Sequence, residues 1–297
     1  MPYTRPLSEV TKEDVASVGG KGANLGELMR AGFQVPRGFA VCAEAFEKFL
    51  KETDLYQEVD TLLDGVDHDA IHTAEEASEK IRGLILNAEV PSDISKEIRD
   101  AFKELQTDKV AVRSSATAED SETASWAGQL DSFLNVTKEG LLGSVKKCWA
   151  SLFTPRAIFY RFEKGLHGKK ISVAVVVQKM VPAEAAGVAF SVHPVTEDEN
   201  HLIIEAVRGL GEALVSGVVT PDSYTIEKKP RKIIDSNPAG QQKGGTPILP
   251  ENEILQLADI VIQIEKHFGV PQDVEWAYAN DTFYIVQSRP ITTLKGR

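Results

Sequence analysis

The sequence predicts an α+β protein, on three observations. Residues 52–106 carry polar stretches with apolar side chains at helical spacing, including Ala74 to Leu86 and Ser92 to Leu105. The runs 171–181, 187–192 and 202–207 are apolar and rich in β-branched residues, the pattern of buried strands. Near the C-terminus, β-rich runs around Val274 to Trp276 and Phe283 to Gln287 flank Ala279-Asn280-Asp281-Thr282, the composition of a hairpin turn. A chain of 297 residues is long enough for two lobes. The punctuation at Pro182 places their boundary there. Residues 1–182 form an N-terminal lobe with a helical scaffold, and residues 183–297 form a C-terminal lobe.

The remaining elements follow in order. Ala23, Leu25, Leu28 and Met29 recur at helical spacing before Gly32, so the Gly19-Gly20-Lys21-Gly22 turn opens a helix. Val35 to Val41 is a turn running into a short strand, and Ala43 to Leu50 a second helix. Val110-Ala111-Val112 is a strand feeding the segment that starts at Arg113. Leu141 to Phe162 is helical with an irregularity before Pro155, which lacks an amide proton. The strand 202–207 should pair with 187–192. Glu251 to Phe268 is the last helix.

Composition narrows the function classes. With 42% hydrophobic and 26% charged residues, the chain can bury a core and is not disordered. A net charge of -11 disfavours nonspecific attraction to nucleic acid or to an anionic membrane. Cys42 and Cys148 match no metal or disulfide spacing, no apolar leader precedes Val10, and no run is long enough to span a bilayer. A cytoplasmic protein is expected. The histidines at 68, 72, 167, 193, 201 and 267 show no metal spacing and read as structural or solvated.

The segment Val112-Arg113-Ser114-Ser115-Ala116-Thr117, with Trp126-Ala127-Gly128-Gln129, offers a cation, three small hydroxyls and a glycine with little bulk. Such a stretch suits a polyphosphate: the Arg113 fork matches phosphate oxygens, the hydroxyls add hydrogen bonds and Gly128 admits close backbone approach. Lys21, flanked by glycines, is a second cation for phosphate, although the spacing is not that of a Walker loop. Asp273 and Glu275 share one face of a strand, as Gln287 and Arg289 do on the next. Two carboxylates and an amide are hard oxygen ligands suited to magnesium, with Arg289 at the terminal phosphates; cross-strand pairing of Glu275 with Arg289 is the structural alternative. Gln178 and Met180, with Glu184, suit the edge of an adenine ring, Met180 serving equally as core filler.

These segments, with Gly209-Leu210-Gly211-Glu212 and Gln287-Ser288-Arg289-Pro290, resemble the N-terminal ATP-binding domain shared by phosphoenolpyruvate synthase, pyruvate phosphate dikinase and rifampin phosphotransferase. The resemblance runs from about Val18 to Thr292. It implies an ATP-grasp type fold, two lobes clamping ATP with Mg2+, and a dikinase reaction in which ATP yields AMP. By motif, Lys21, Arg113 and Arg289 are the catalytic, phosphate-facing cations. Gly128 and Ser132 belong to the loop covering the phosphates, and Gln178 is the adenine-edge residue. Glu275 and Gln287 are the magnesium positions, with Asp273 their neighbour. The resemblance also implies a swivelling phosphohistidine domain and an acceptor-binding domain as partners. The 297 residues contain no Thr-Ser-His type motif, and the stretch 244–247 lacks histidine. Those partners are therefore expected on the same parent chain or a separate subunit. The acceptor, whether pyruvate, a rifamycin or another molecule, is not encoded in these motifs, and a noncatalytic ATP-sensing module is the alternative function.

Overall fold

The computed structural model describes residues 2–67, 70–117, 130–166, 172–215, 217–239, 247–292 and 294. Gly128 lies outside the described residues. The chain divides into two compact units, one formed by Met1–Glu27 and Arg37–Met180, the other by Leu28–Pro36 and Val181–Arg297. Helices and strands are mixed in it, as the α+β reading expects.

The first unit contains β1 (Thr4–Pro6), most of α1 (Val15–Arg30), β2 (Gly38–Val41), α2 (Ala43–Glu52), α3 (Leu55–Asp64), α4 (Ile71–Asn87) and α5 (Ser92–Glu104). It continues with β3 (Val110–Ala116), β4 (Ser132–Val136), α6 (Leu141–Ser151), α7 (Pro155–Glu163) and β5 (Val173–Lys179). Its five strands form one antiparallel sheet in the order β1-β2-β5-β3-β4. Alternation along the strands sorts their side chains. Val110, Val112, Val173, Val175, Val177, Phe39 and Val41 join the helices in the main core, where Phe46, Phe49 and Trp149 pack ring against ring. The opposite face carries Arg113, Ser115, Val176 and Gln178. The helical run expected over 141–162 is two helices: it stops at Ser151, and Thr154 caps α7 by accepting from the Ala157 amide, with Pro155 in the first turn.

The second unit contains β6 (Ala185–Phe190), β7 (His201–Arg208), the short α8 (Glu212–Val215), β8 (Asp222–Glu227), β9 (Lys232–Asn237), α9 (Glu251–Phe268), β10 (Gln272–Ala279) and β11 (Thr282–Pro290). Six antiparallel strands run in the order β11-β10-β6-β7-β8-β9, with β7 beside β6 as the sequence reading expects. The amphipathic α9 buries Ile254, Leu257, Ala258, Val261 and Ile264. Tyr278 of β10 donates to Glu253 of this helix at 2.7 Å, which identifies the face of the sheet that α9 covers. Helix and hairpin stand as expected from sequence. In the hairpin turn Asn280 and Asp281 both adopt positive φ, as a two-residue turn with the twist of its strands requires.

Candidate nucleotide and metal site

In the first unit the Gly19-Gly20-Lys21-Gly22 segment is seated on β3. Gly19, at φ +70° and ψ 168°, breaks α1 after its first turn, in a region open essentially to glycine alone. A Cβ there would lie 2.2 Å from Ser115 Oγ and 2.4 Å from its carbonyl oxygen, so the backbone touches the strand directly. Ser115 Oγ donates to the Val18 carbonyl at 2.9 Å and accepts from the Gly22 amide at 3.3 Å, bracketing the break. The helix resumes beyond it with Lys21 in its opening turn, and Lys21 Nζ donates to the Ser114 carbonyl at 3.0 Å. The sequence prediction of a glycine turn opening a helix holds, with the turn enclosed in one continuous helical run.

Arg113 and Gln178 share the face of β3 and β5 opposite the main core, because Arg113 pairs with Val176 and Gln178 with Ala111. Both are buried, at 8% and 2% exposure. Ser132, assigned by motif to a covering loop, is instead the first residue of β4, directly opposite Arg113. Met180 follows β5, its amide donating to the Lys109 carbonyl.

One part of the sequence reading is corrected. The hydroxyls of Ser114, Ser115 and Thr117 were expected to meet a ligand, yet all three donate inward. Ser114 Oγ faces the Asp131 and Cys148 carbonyls and Ser151 Oγ, and Thr117 Oγ1 donates to the Ser172 carbonyl. The physical reason is burial: Ser114 and Ser115 are at 1% and 0% exposure, and a buried hydroxyl must find a protein partner.

In the second unit the polar residues gather on one face of β10 and β11. Glu275 stands opposite Gln287, and Asp273 opposite Arg289. A bulge follows at Glu275/Trp276, where Trp276 pairs with Ile285 and Val286 is passed over. The ion pair across the strands joins Arg289 to Asp273, with Nε and Nη2 donating to Oδ2 at 2.9 and 2.6 Å. Sequence reasoning weighed Glu275 as that partner and Asp273 as a metal neighbour, but the register puts Asp273 directly across. Burial pushes the Asp273 carboxyl up from its ordinary value, and the Arg289 charge only partly offsets this. Among the described residues, Gln287 Oε1 is buried with no hydrogen-bond partner. A buried amide oxygen left unpaired is costly, and this one sits across the ladder from a carboxylate. The pair fits a hard divalent cation that takes few protein ligands and fills its shell with phosphate and water. Glu184 is exposed, and its Oε1 accepts from the Asn280 amide at 3.0 Å, capping the hairpin turn.

The first unit thus carries the buried Arg113 and Gln178 on one face of its sheet, and the second carries Asp273, Glu275, Gln287 and Arg289 on one face of its own. The family described as "Pyruvate phosphate dikinase, AMP/ATP-binding domain" matches residues 15–297, and the chain belongs to it. The chain is 45% identical, over 99% of its length, to a protein of Methanocaldococcus jannaschii named "Probable phosphoenolpyruvate synthase", of which it covers 27%. It is 39% identical to the phosphoenolpyruvate synthase of Pyrococcus furiosus, with 99% of this chain and 44% of that protein covered. Against the rifampicin phosphotransferase of Bacillus subtilis the identity is 42%, covering 97% of this chain and 36% of the relative. The chain therefore spans less than half the length of each. Among the described residues, no helix is long and apolar enough to cross a membrane.

Proposed function

We propose that this chain is the ATP-binding, phosphohistidine-forming module of a dikinase, with a fold of the ATP-grasp type. ATP is converted to AMP, the β-phosphoryl group passing to a histidine of a swivelling domain and the γ-phosphoryl group to water or phosphate. The histidine domain and an acceptor-binding domain lie on the parent chain or a separate subunit, and the final acceptor is pyruvate, a rifamycin or another small molecule. The names of the relatives support phosphoryl transfer over a passive ATP sensor. Two buried free cysteines suit a reducing cytoplasm.

In this reading the first lobe, 1–182, holds phosphate through Lys21 and Arg113, with Gly128 and Ser132 beside the phosphates and Gln178 and Met180 at the adenine edge. The second, 183–297, holds Mg2+ through Glu275 and Gln287. Arg289 meets the transferred phosphates and is held in place by Asp273, and Glu184 adds to the adenine end. The cation, when bound, neutralises charge on the transferring phosphates. Arg113 and Arg289 orient phosphate oxygens by forked hydrogen bonds, and the burial of Arg113 strengthens its contacts. The observation that carries the reading is Gln287 Oε1, a buried acceptor with no donor among the described residues, opposite Glu275. The test is nucleotide turnover with a histidine-domain partner supplied. AMP and a phosphorylated histidine are expected; ADP as the sole product overturns the proposal.

A further inference from the structure

The row of the second sheet that begins at Gln287 and Glu275 continues across it. Glu275 pairs with Val188 of β6, and Val188 pairs with Glu205 of β7. Residues directly opposite in a ladder share a face, so Glu205 is on the side of the sheet that carries Glu275 and Gln287. One strand separates the two glutamates. At about 4.8 Å per strand their Cα atoms lie about 10 Å apart, a gap on the scale of two glutamate side chains with a hydrated ion between them.

Glu205 is half-buried and, among the described residues, accepts no hydrogen bond and meets no cation. Its neighbours on that face are Val188, Ile203, Val207 and Ser223. Burial alone pushes its carboxyl above the ordinary value. A carboxylate in mid-sheet with no compensating partner costs stability, and on a face that receives a triphosphate it also repels the ligand unless a cation intervenes. Mg2+ retains several waters when held by one or two carboxylates and phosphates, and those waters need acceptors.

We infer that Glu205 is a further residue of the magnesium site, accepting hydrogen bonds from the water shell of the cation held by Glu275 and Gln287. The inference rests on the magnesium reading above. Sequence reasoning passed over Glu205 because it sits in an apolar strand, 70 residues from Glu275, and only the sheet order aligns them.

The test is calorimetric titration of the full chain with ATP, across a Mg2+ series and in EDTA, for wild type, Glu205→Gln and Gln287→Ala. For Glu205→Gln, the Mg2+ concentration at half-effect should rise about 10-fold, the scale of outer ligands at metal sites. In EDTA, ATP should bind this variant as well as or better than wild type, because a negative charge has been removed. A merely structural role weakens both arms equally, and that result overturns the inference, as does an unchanged Mg2+ dependence. Gln287→Ala separates the two levels: if it leaves Mg2+ dependence at wild type, the magnesium reading fails. If it raises that dependence while Glu205→Gln does not, only the role of Glu205 fails. Thermal unfolding of the ligand-free variants verifies that both fold.

Discussion

Gly19→Ala tests whether the glycine-rich start of α1 depends on direct backbone contact with β3. Two penalties apply. The residue holds φ +70° and ψ 168°, where a non-glycine residue costs about 1–3 kcal/mol. The new methyl group would also stand 2.2 Å from Ser115 Oγ and 2.4 Å from the Ser115 carbonyl oxygen. A hydroxyl can rotate away, but a carbonyl in a paired strand cannot, so the strand or the helix start must shift at a further cost of about 1–3 kcal/mol. The expected loss is about 2–6 kcal/mol. Gly32→Ala is the matched control: Gly32 has φ +86° but nothing within 4 Å of its Cβ position, so it senses backbone conformation alone. Its loss should be about 1–2 kcal/mol. Urea unfolding followed by circular dichroism and tryptophan emission measures both variants. Ser115→Ala in the Gly19→Ala background should recover only part of the loss, since the carbonyl contact remains. A Gly19→Ala loss no larger than that of Gly32→Ala refutes the reasoning.

Other predictions concern the cations, acid stability and thiols. On the proposed function, Arg113→Ala and Arg289→Ala each remove a charge-assisted phosphate contact worth about 1.5–3 kcal/mol, so ATP affinity by calorimetry should fall about 10- to 150-fold; a change within twofold removes the residue from the site. The Asp14 carboxyl is held down at about 2 chiefly by hydrogen bonding to Arg5, against an ordinary 3.8. Its folded value is depressed, so its stabilisation is complete above pH 4 and disappears as pH falls toward 2. Asp14→Asn should therefore lower the Tm at pH 7 and converge on wild type near pH 2, and a constant difference contradicts the linkage. Burial raises the Cys42 thiol and pushes Cys148 up to about 12. Neither should react with a thiol reagent at pH 8 until the chain unfolds, whereas rapid native labelling would show the burial to be wrong.

Sequence exposed those parts of the fold that follow from local rules. Alternation put Asp273 with Glu275 and Gln287 with Arg289, and Asn280-Asp281 announced the turn between them. Helical spacing gave α9 its ends, while Gly-Gly-Lys-Gly announced a helix start. What stayed hidden depends on register and burial. The pairing of Arg289 with Asp273, the inward hydroxyls of Ser114 and Ser115, and the alignment of Glu205 with Glu275 all need to know which strands are neighbours. No local pattern carries that information. The strand β1, three residues long, is too short to show any period.

The passed-over Val286 has a consequence for how this sequence can vary. On the C-terminal side of it, odd-numbered residues of β11 share the face of Glu275; on the N-terminal side even-numbered ones do, Tyr284 standing opposite Ala277. That one-residue step lets Ile285 and Phe283 sink to 1% and 3% exposure while Gln287 keeps its outlook. Thread the strand in unbroken alternation with Val286 kept in the ladder, and either the greasy pair or the Gln287–Arg289 pair is turned to the wrong side; remove Val286, and Ile285 stands next to Gln287, so plain alternation keeps each on its own side. The faces of the hairpin are therefore set by where the extra residue is stored: a single-codon deletion at the bulge leaves them standing, whereas flattening the bulge does not.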